Sequence, residues 1–247
     1  MTKGNGYFVV RPHGLRRCVD LQYESICRCL KTQISSSQTF RRVLDVGAGS
    51  APYRRFFPES DYLTLDKHEP ADYQSFEEIP RNKKFDLILL IEVLEHVEDL
   101  EELFEGIGKV LSSAGQLWIS VPFAARIHRA PEDYRRFTDE GLKRVLASHG
   151  FGAHTLKFRG TELTSLFAKL FYIGFRSVPL SLPFLCGLPC LLALAHCTLR
   201  FDIGSPEDPL GFFAVATKLP ARKETGKRVN APSQERARSE ILRSLNQ

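Results

Sequence analysis

Glu92, Glu95 and His96 stand within one short segment, directly behind the apolar run Phe85–Ile91. If a helix opens there, residues three and four apart share a face and the three side chains converge. Such a cluster can move a proton or hold a hard divalent ion that tolerates one imidazole. The bland reading is a pocket lining in which Glu95 favours a helix N-terminus through the backbone dipole. A second group of residues binds rather than reacts. Gly47 and Gly49 follow Asp45 in Asp45-Val46-Gly47-Ala48-Gly49, and Asp66 closes the next apolar run. Glycines let a backbone approach a ligand that a Cβ would exclude. An acid at the end of a strand can accept both hydroxyls of a ribose.

The elements that must position these groups are legible as apolar runs. Val43, Leu44 and Val46 fit a buried parallel strand, and Gly47-Ala48-Gly49 breaks it. Ala51-Pro52-Tyr53 can open a helix, with Pro52 near the first helical position. Tyr62–Leu65 is a second strand that stops at Asp66. Strand, glycine turn, helix, strand and acid make the first half of a Rossmann-like nucleotide site. Phe85–Ile91 is apolar throughout, as a strand covered on both faces should be, and its carboxyl end is where open α/β sheets bind ligands. Helical spacing recurs in Arg16–Gln33 and from Leu100 to Leu111. Gln116–Val121, Ala153–Phe158 and Gly211–Thr217 read as further strands, and Thr138 caps a helix that ends at His149-Gly150. The segment Lys67–Lys84 is weak and gives no clear element.

A dinucleotide fingerprint would place a third glycine where the chain has Pro52. The combination D-x-G-x-G with Asp66 instead resembles class I S-adenosylmethionine-dependent methyltransferases. FDLILLIEVLEHVED and HRAPEDYRRFTDEGL are similar to segments of a type 11-like bacterial subgroup of them. The resemblance covers Arg42–Gly160 and Gly211–Thr217. It implies an α/β fold, a Rossmann-like seven-stranded sheet with helices on both faces. The last strand would lie antiparallel between strands five and six. The apolar helical insertion expected between strands six and seven is read from the sequence and is not explained by that fold. It further implies that Asp45, Gly47 and Gly49 line the methionine half of S-adenosylmethionine, that Asp66 holds the ribose, and that Ile91 and Glu92 sit near the sulfonium. The acid that would meet the adenine has no clear place among Asp72, Ser75 and Glu77. A third glycine common in the family's turn is Ala51 here.

The E-x-x-E-H spacing also resembles the metal site of small-RNA and quinone-pathway O-methyltransferases. That implies a Mg²⁺ set of Glu92, Glu95, His96 and Asp133, with His128 as a weaker candidate. Without a metal, Glu95 and His96 are the candidate catalytic groups. Tyr134 and Arg136 lie where family members hold the acceptor, and Arg136 can pair an anionic substrate group or staple its own loop to a carboxylate. The expected activity is in-line methyl transfer to a small-molecule, glycan or lipid-linked acceptor, with oxygen favoured. The alternative is a non-catalytic, membrane-associated protein that kept the fold.

The chain divides into a helical cover (1–40), a methyltransferase domain (41–217) with its insertion (163–200), and a tail (218–247). The formal charge of +5 over 247 residues resides in the tail, where eight Lys/Arg meet three Glu. The fold is then near neutral, so nucleic acid is not an expected partner, and the polar tail reads as disordered. No apolar leader is apparent, and the six cysteines lack paired zinc spacing, so a cytoplasmic location with reduced thiols is expected. The insertion carries no formal charge from Ser177 to Leu199. It is long enough to span a bilayer, but prolines interrupt it. The strands on either side must also meet in one sheet, which a single crossing forbids. A membrane-lying hairpin, a lid and a dimer surface remain open.

Overall fold

The computed structural model describes residues 20–37, 39–127, 132–176 and 178–220. His128, Ser177, the first residues of the expected N-terminal helix and nearly all of the tail lie outside them.

One sheet organises the chain. Its strands are β1 (Arg42–Val46), β2 (Asp61–Leu65), β3 (Phe85–Ile91), β4 (Leu111–Pro122), β5 (Phe151–Arg159) and β6 (Gly211–Lys218). They lie in the order β2-β1-β3-β4-β6-β5. β2, β1, β3 and β4 are parallel neighbours. β6 is antiparallel to both β4 and β5 and sits between them, as the resemblance implies.

The period of two sorts the side chains onto two faces. Leu44, Val46, Ile88, Leu90, Leu117 and Ile119 enter one core. Their alternates Val43, Leu87, Leu89, Ile91 and Trp118 enter the other. Helix α1 (Leu21–Ser35) covers the second face with Ile26 and Leu30. Helices α2 (Leu100–Val110) and α3 (Asp139–Ser148) cover the first with Phe104, Ile107, Leu142 and Leu146. Each fully buried side chain of this kind contributes about 1.5–3 kcal/mol. The caps are local. Asp20 accepts from the Tyr23 amide, Asp99 from Glu102 and Thr138 from Gly141.

Six strands form among the described residues, not the seven expected. The third family strand is reduced to one parallel bridge, Leu65 to Tyr73. The segment lacks the apolar run a strand needs, and Asp72 occupies the β2 edge. Its carboxylate accepts from the Thr64 amide (2.9 Å) and hydroxyl (2.8 Å).

Between β5 and β6 lie α4 (Glu162–Arg176) and α5 (Val178–Phe201). Phe171, Leu188, Ala195 and Leu199 form a third core with Leu21 of α1 and Leu210. α5 continues across Pro183 and Pro189, which the sequence reading takes as interruptions. Among the described residues no helix is long and apolar enough to cross a membrane.

Candidate functional site

The parallel strands deliver Gly47, Asp66, Glu92, Phe123 and Gly160 to one edge of the sheet. The turn after β1 is built from left-handed residues. Gly47 has φ +69°, Gly49 +51° and Ala51 +50°. At Gly47 a Cβ would meet Val93 Cγ2 at 2.6 Å, so the position is closed to side chains. At Gly49 nothing lies within 4 Å of a Cβ position, which leaves the outer side of the turn open to a ligand. The left-handed Ala51 explains why a third glycine suits this site. It also breaks the helix expected from Ala51-Pro52-Tyr53. Only a 3₁₀ turn, Arg54–Phe56, forms. The donors at this edge are therefore turn amides and not a helix N-terminus.

Asp66 is buried and holds the turn together. One carboxylate oxygen accepts from the Gly49 amide (2.8 Å), the other from His68 (2.8 Å) and Glu69 (3.0 Å). Asp45 is buried just before the turn and accepts from the Tyr62 hydroxyl at 2.6 Å. Burial pushes its carboxyl up to about 7, against the opposing pull of that hydrogen bond.

Ile91 ends β3 in the core, and Glu92 follows with φ +56°. Its amide donates to the Ser120 carbonyl at 2.8 Å. Its carboxylate accepts from the Ser120 hydroxyl (2.9 Å) and from Arg159 Nη2 (2.7 Å). Arg159, at the end of β5, is wholly buried. It also donates to Val121 O (3.2 Å) and to Ser25 Oγ of α1 (3.1 Å). Gly211 makes room for it, because a Cβ there would lie 2.3 Å from Nη2. Sequence reading missed Arg159. The one signal was a cation closing a strand at the edge where Glu92 emerges.

Glu95 and His96 lie in a 3₁₀ turn, Leu94–His96, and not on the expected helix. Glu95 is fully buried, and neither carboxyl oxygen has a hydrogen-bond partner. Burial, and then the charge of Glu92, push its carboxyl up to about 8. His96 Nδ1 lies 2.6 Å from the Glu132 carbonyl. A carbonyl only accepts, so Nδ1 carries hydrogen and Nε2 is the basic nitrogen of the neutral ring. That Nε2 stands 3.6 Å from Glu95 Oε1.

The Glu95 shift has a consequence for stability. Below the ordinary glutamate value of 4.5 both folded and unfolded chains hold the proton, and stability is full. Between there and about 8 the unfolded chain releases it while the folded one keeps it, so stability falls as pH rises. Glu95→Gln is expected to leave the part of this slope that Asp45 supplies below about 7, to remove the part between about 7 and 8, and to melt above wild type at pH near 8, as thermal denaturation across that range checks. A wild-type melting temperature flat over the same range would contradict the assignment.

The loop after β4 is stapled from within. Arg136 grips Asp133 through both guanidinium nitrogens, the Nη2–Oδ2 contact being 2.7 Å, and donates to the Arg126 carbonyl at 3.2 Å. The Tyr134 amide donates to the Glu95 carbonyl (2.8 Å), and its half-exposed ring lies under Arg135. The expected metal set is thus not assembled. Glu92 is turned to Arg159, Asp133 to Arg136, and the 3₁₀ turn denies Glu92 a helical face shared with Glu95. Among the described residues no group of three His, Cys, Asp or Glu is arranged to hold an ion. Arg136 staples its own loop through Asp133, the second of the two roles its position allows.

A parallel sheet with an antiparallel sixth strand, an open glycine turn after β1 and an acid after β2 defines the class I S-adenosylmethionine-dependent methyltransferase fold. The model of a methyltransferase domain matches residues 20–170, well over half of the chain. The chain belongs to that family and is an S-adenosylmethionine-dependent methyltransferase. Among solved structures, the [4+2]-cyclase SpnF is 16% identical, with a TM-score of 0.50, over 80% of this chain and 82% of its own. An O-methyltransferase of a polyketide synthase from Brevibacillus brevis, crystallised with S-adenosyl-L-homocysteine, is 12% identical, with a TM-score of 0.49, over 85% and 82%. The N-methyltransferase NodS from Bradyrhizobium japonicum is 12% identical, with a TM-score of 0.49, over 81% and 98%. At 16% identity the likeness to the cyclase speaks for the fold alone. No curated protein matches the chain.

Proposed function

We propose that the enzyme methylates an oxygen of a small-molecule, glycan or lipid-linked acceptor, with His96 as the proton acceptor. The observation that carries this reading is the fixed ring of His96. Its Nδ1–H is held by the Glu132 carbonyl, and the basic Nε2 faces a buried acid. An alcohol or phenol needs a base as the new bond forms, whereas the free lone pair of an amine does not. The Glu95 carboxyl beside Nε2 orients the ring and, once ionised, favours the imidazolium.

S-adenosylmethionine supplies an activated methyl group on a sulfonium. The residues present suit it. The open side of Gly49 admits a ligand against the backbone, with Gly47 and the buried Asp45 shaping the turn behind it. Asp66 sits at the ribose end and retains lone pairs beyond its three amide bonds. Ile91 and Glu92, locked by Arg159, bound the reactive end. Tyr134, half-exposed and tethered to Glu95, lines the acceptor side. What the protein adds is position and exclusion of water.

The test is a product screen with methyl-labelled S-adenosylmethionine against phenols, sugars and lipid-linked hydroxyl compounds, beside matched amines. Methyl ethers are expected, and methylation of amines alone would overturn the oxygen assignment. With an acceptor in hand, His96→Ala is expected to lower kcat by about 10²–10⁴-fold while leaving the KM for S-adenosylmethionine within about twofold. The rate should climb as pH approaches 8, where Glu95 releases its proton.

A further inference from the structure

The geometry points to the α4–α5 pair as a docking face for an anionic phospholipid surface. Among the described side chains, each helix buries some in the third core and leaves others bare. On α4 the bare side carries Leu166, Leu170 and Ile173, and on α5 Leu194 and Phe201. These five are between 40% and 65% exposed. Their spacings of four, three and seven residues keep each set on one helical stripe. Such stripes exceed the scattered apolar residues usual on a soluble surface.

Charge selects the occupant. Beyond Glu162, which opens α4, residues 163–201 contain Lys169, Arg176 and Arg200 and no Asp or Glu, and Lys169 is paired with Asp208 at 3.3 Å. Two cations lie over aromatic rings at the rim of the stripes. Arg126 Cζ is 4.6 Å from the Tyr172 centroid, and Arg200 Cζ is 5.7 Å from that of Phe201. Apolar side chains bordered by cation–aromatic pairs suit the boundary between acyl chains and anionic headgroups. A second copy of the chain would bring the exposed Arg126 and Arg200 against their own counterparts. No described helix is long and apolar enough to cross, so the pair would lie on the surface. It leaves the sheet just after Arg159, at the edge that holds Glu92 and Asp66, and so would turn that edge towards the lipid. Vesicle binding needs no cofactor or acceptor, so this inference stands apart from the proposed chemistry.

The test is co-sedimentation of the full chain with vesicles of phosphatidylcholine alone and of phosphatidylcholine with phosphatidylglycerol. Binding to the anionic vesicles is expected, weakened by salt. The tail's excess of cations could bind electrostatically by itself, so the deciding variants leave charge unchanged. Leu166→Ser/Leu170→Ser/Ile173→Ser is expected to weaken binding at least about tenfold. Leu194→Ser/Phe201→Ser on α5 is an independent second variant, and circular dichroism checks the folding of both. Failure to bind, or binding that neither folded variant weakens, would overturn the inference. So would a dimer in ultracentrifugation that the same variants dissolve while vesicle binding is absent.

Discussion

Arg159→Met is expected to destabilise the protein by about 3 kcal/mol, the low end of the cost of breaking a buried ion pair, because Arg159 is wholly buried and Glu92 is a quarter exposed. Methionine fills much of the volume, so the loss is one of charge and hydrogen bonds. Glu92 would keep only the Ser120 hydroxyl. The Val121 carbonyl and Ser25 hydroxyl would each lose a donor. Because Arg159 joins β5 to β3, β4 and α1, the whole carboxyl edge should loosen. Urea denaturation measures the change, and the double variant Arg159→Met/Glu92→Gln should recover part of it, since no unpaired carboxylate then remains. A loss below about 1 kcal/mol would show that water satisfies Glu92 as well as the guanidinium does.

Asp66→Ala is expected to weaken the binding of S-adenosylhomocysteine at least about tenfold and to lower stability by about 2–4 kcal/mol, on the scale of one to three kcal/mol for each buried donor left unpaired. Three amides depend on this carboxylate, and one of them, Gly49, belongs to the glycine turn. The turn's left-handed residues are costly to hold without such an anchor. Asp66→Asn separates the two effects. It keeps one acceptor oxygen, enough for the Gly49 amide that anchors the turn, while its NH2 replaces the oxygen that accepts from His68 and Glu69 and presents an amide in place of a carboxylate to the ribose. Titration calorimetry on both variants checks this. Unchanged affinity in Asp66→Ala would remove the residue from the cofactor site.

The edge of the sheet was legible because strands announce themselves. Val43–Val46, Tyr62–Leu65 and Phe85–Ile91 are apolar runs that end in a glycine or an acid, and each ends at the site. Helical geometry after those ends was not legible. Ala51 and Glu92 both adopt a left-handed φ that no propensity of alanine or glutamate foretells. Each replaces an expected helix start with a 3₁₀ turn. The missing strand near Tyr73 reflects a segment whose polar residues bond to β2 instead of extending the sheet. Arg159 was hidden because its partners lie 67 and 134 residues away in the chain, a separation that no local pattern encodes. The expected metal ligands met one distant and one neighbouring cation, Arg159 for Glu92 and Arg136 for Asp133. Glu92 and Asp133 have the right chemistry for an ion, yet each already has an arginine.

Calorimetric titration of the purified chain with S-adenosylhomocysteine tests the central claim most directly. The account predicts one site with a dissociation constant in the micromolar range, unaffected by Mg²⁺ and weakened by Asp66→Ala. Absence of binding by a chain that is folded by circular dichroism would contradict it.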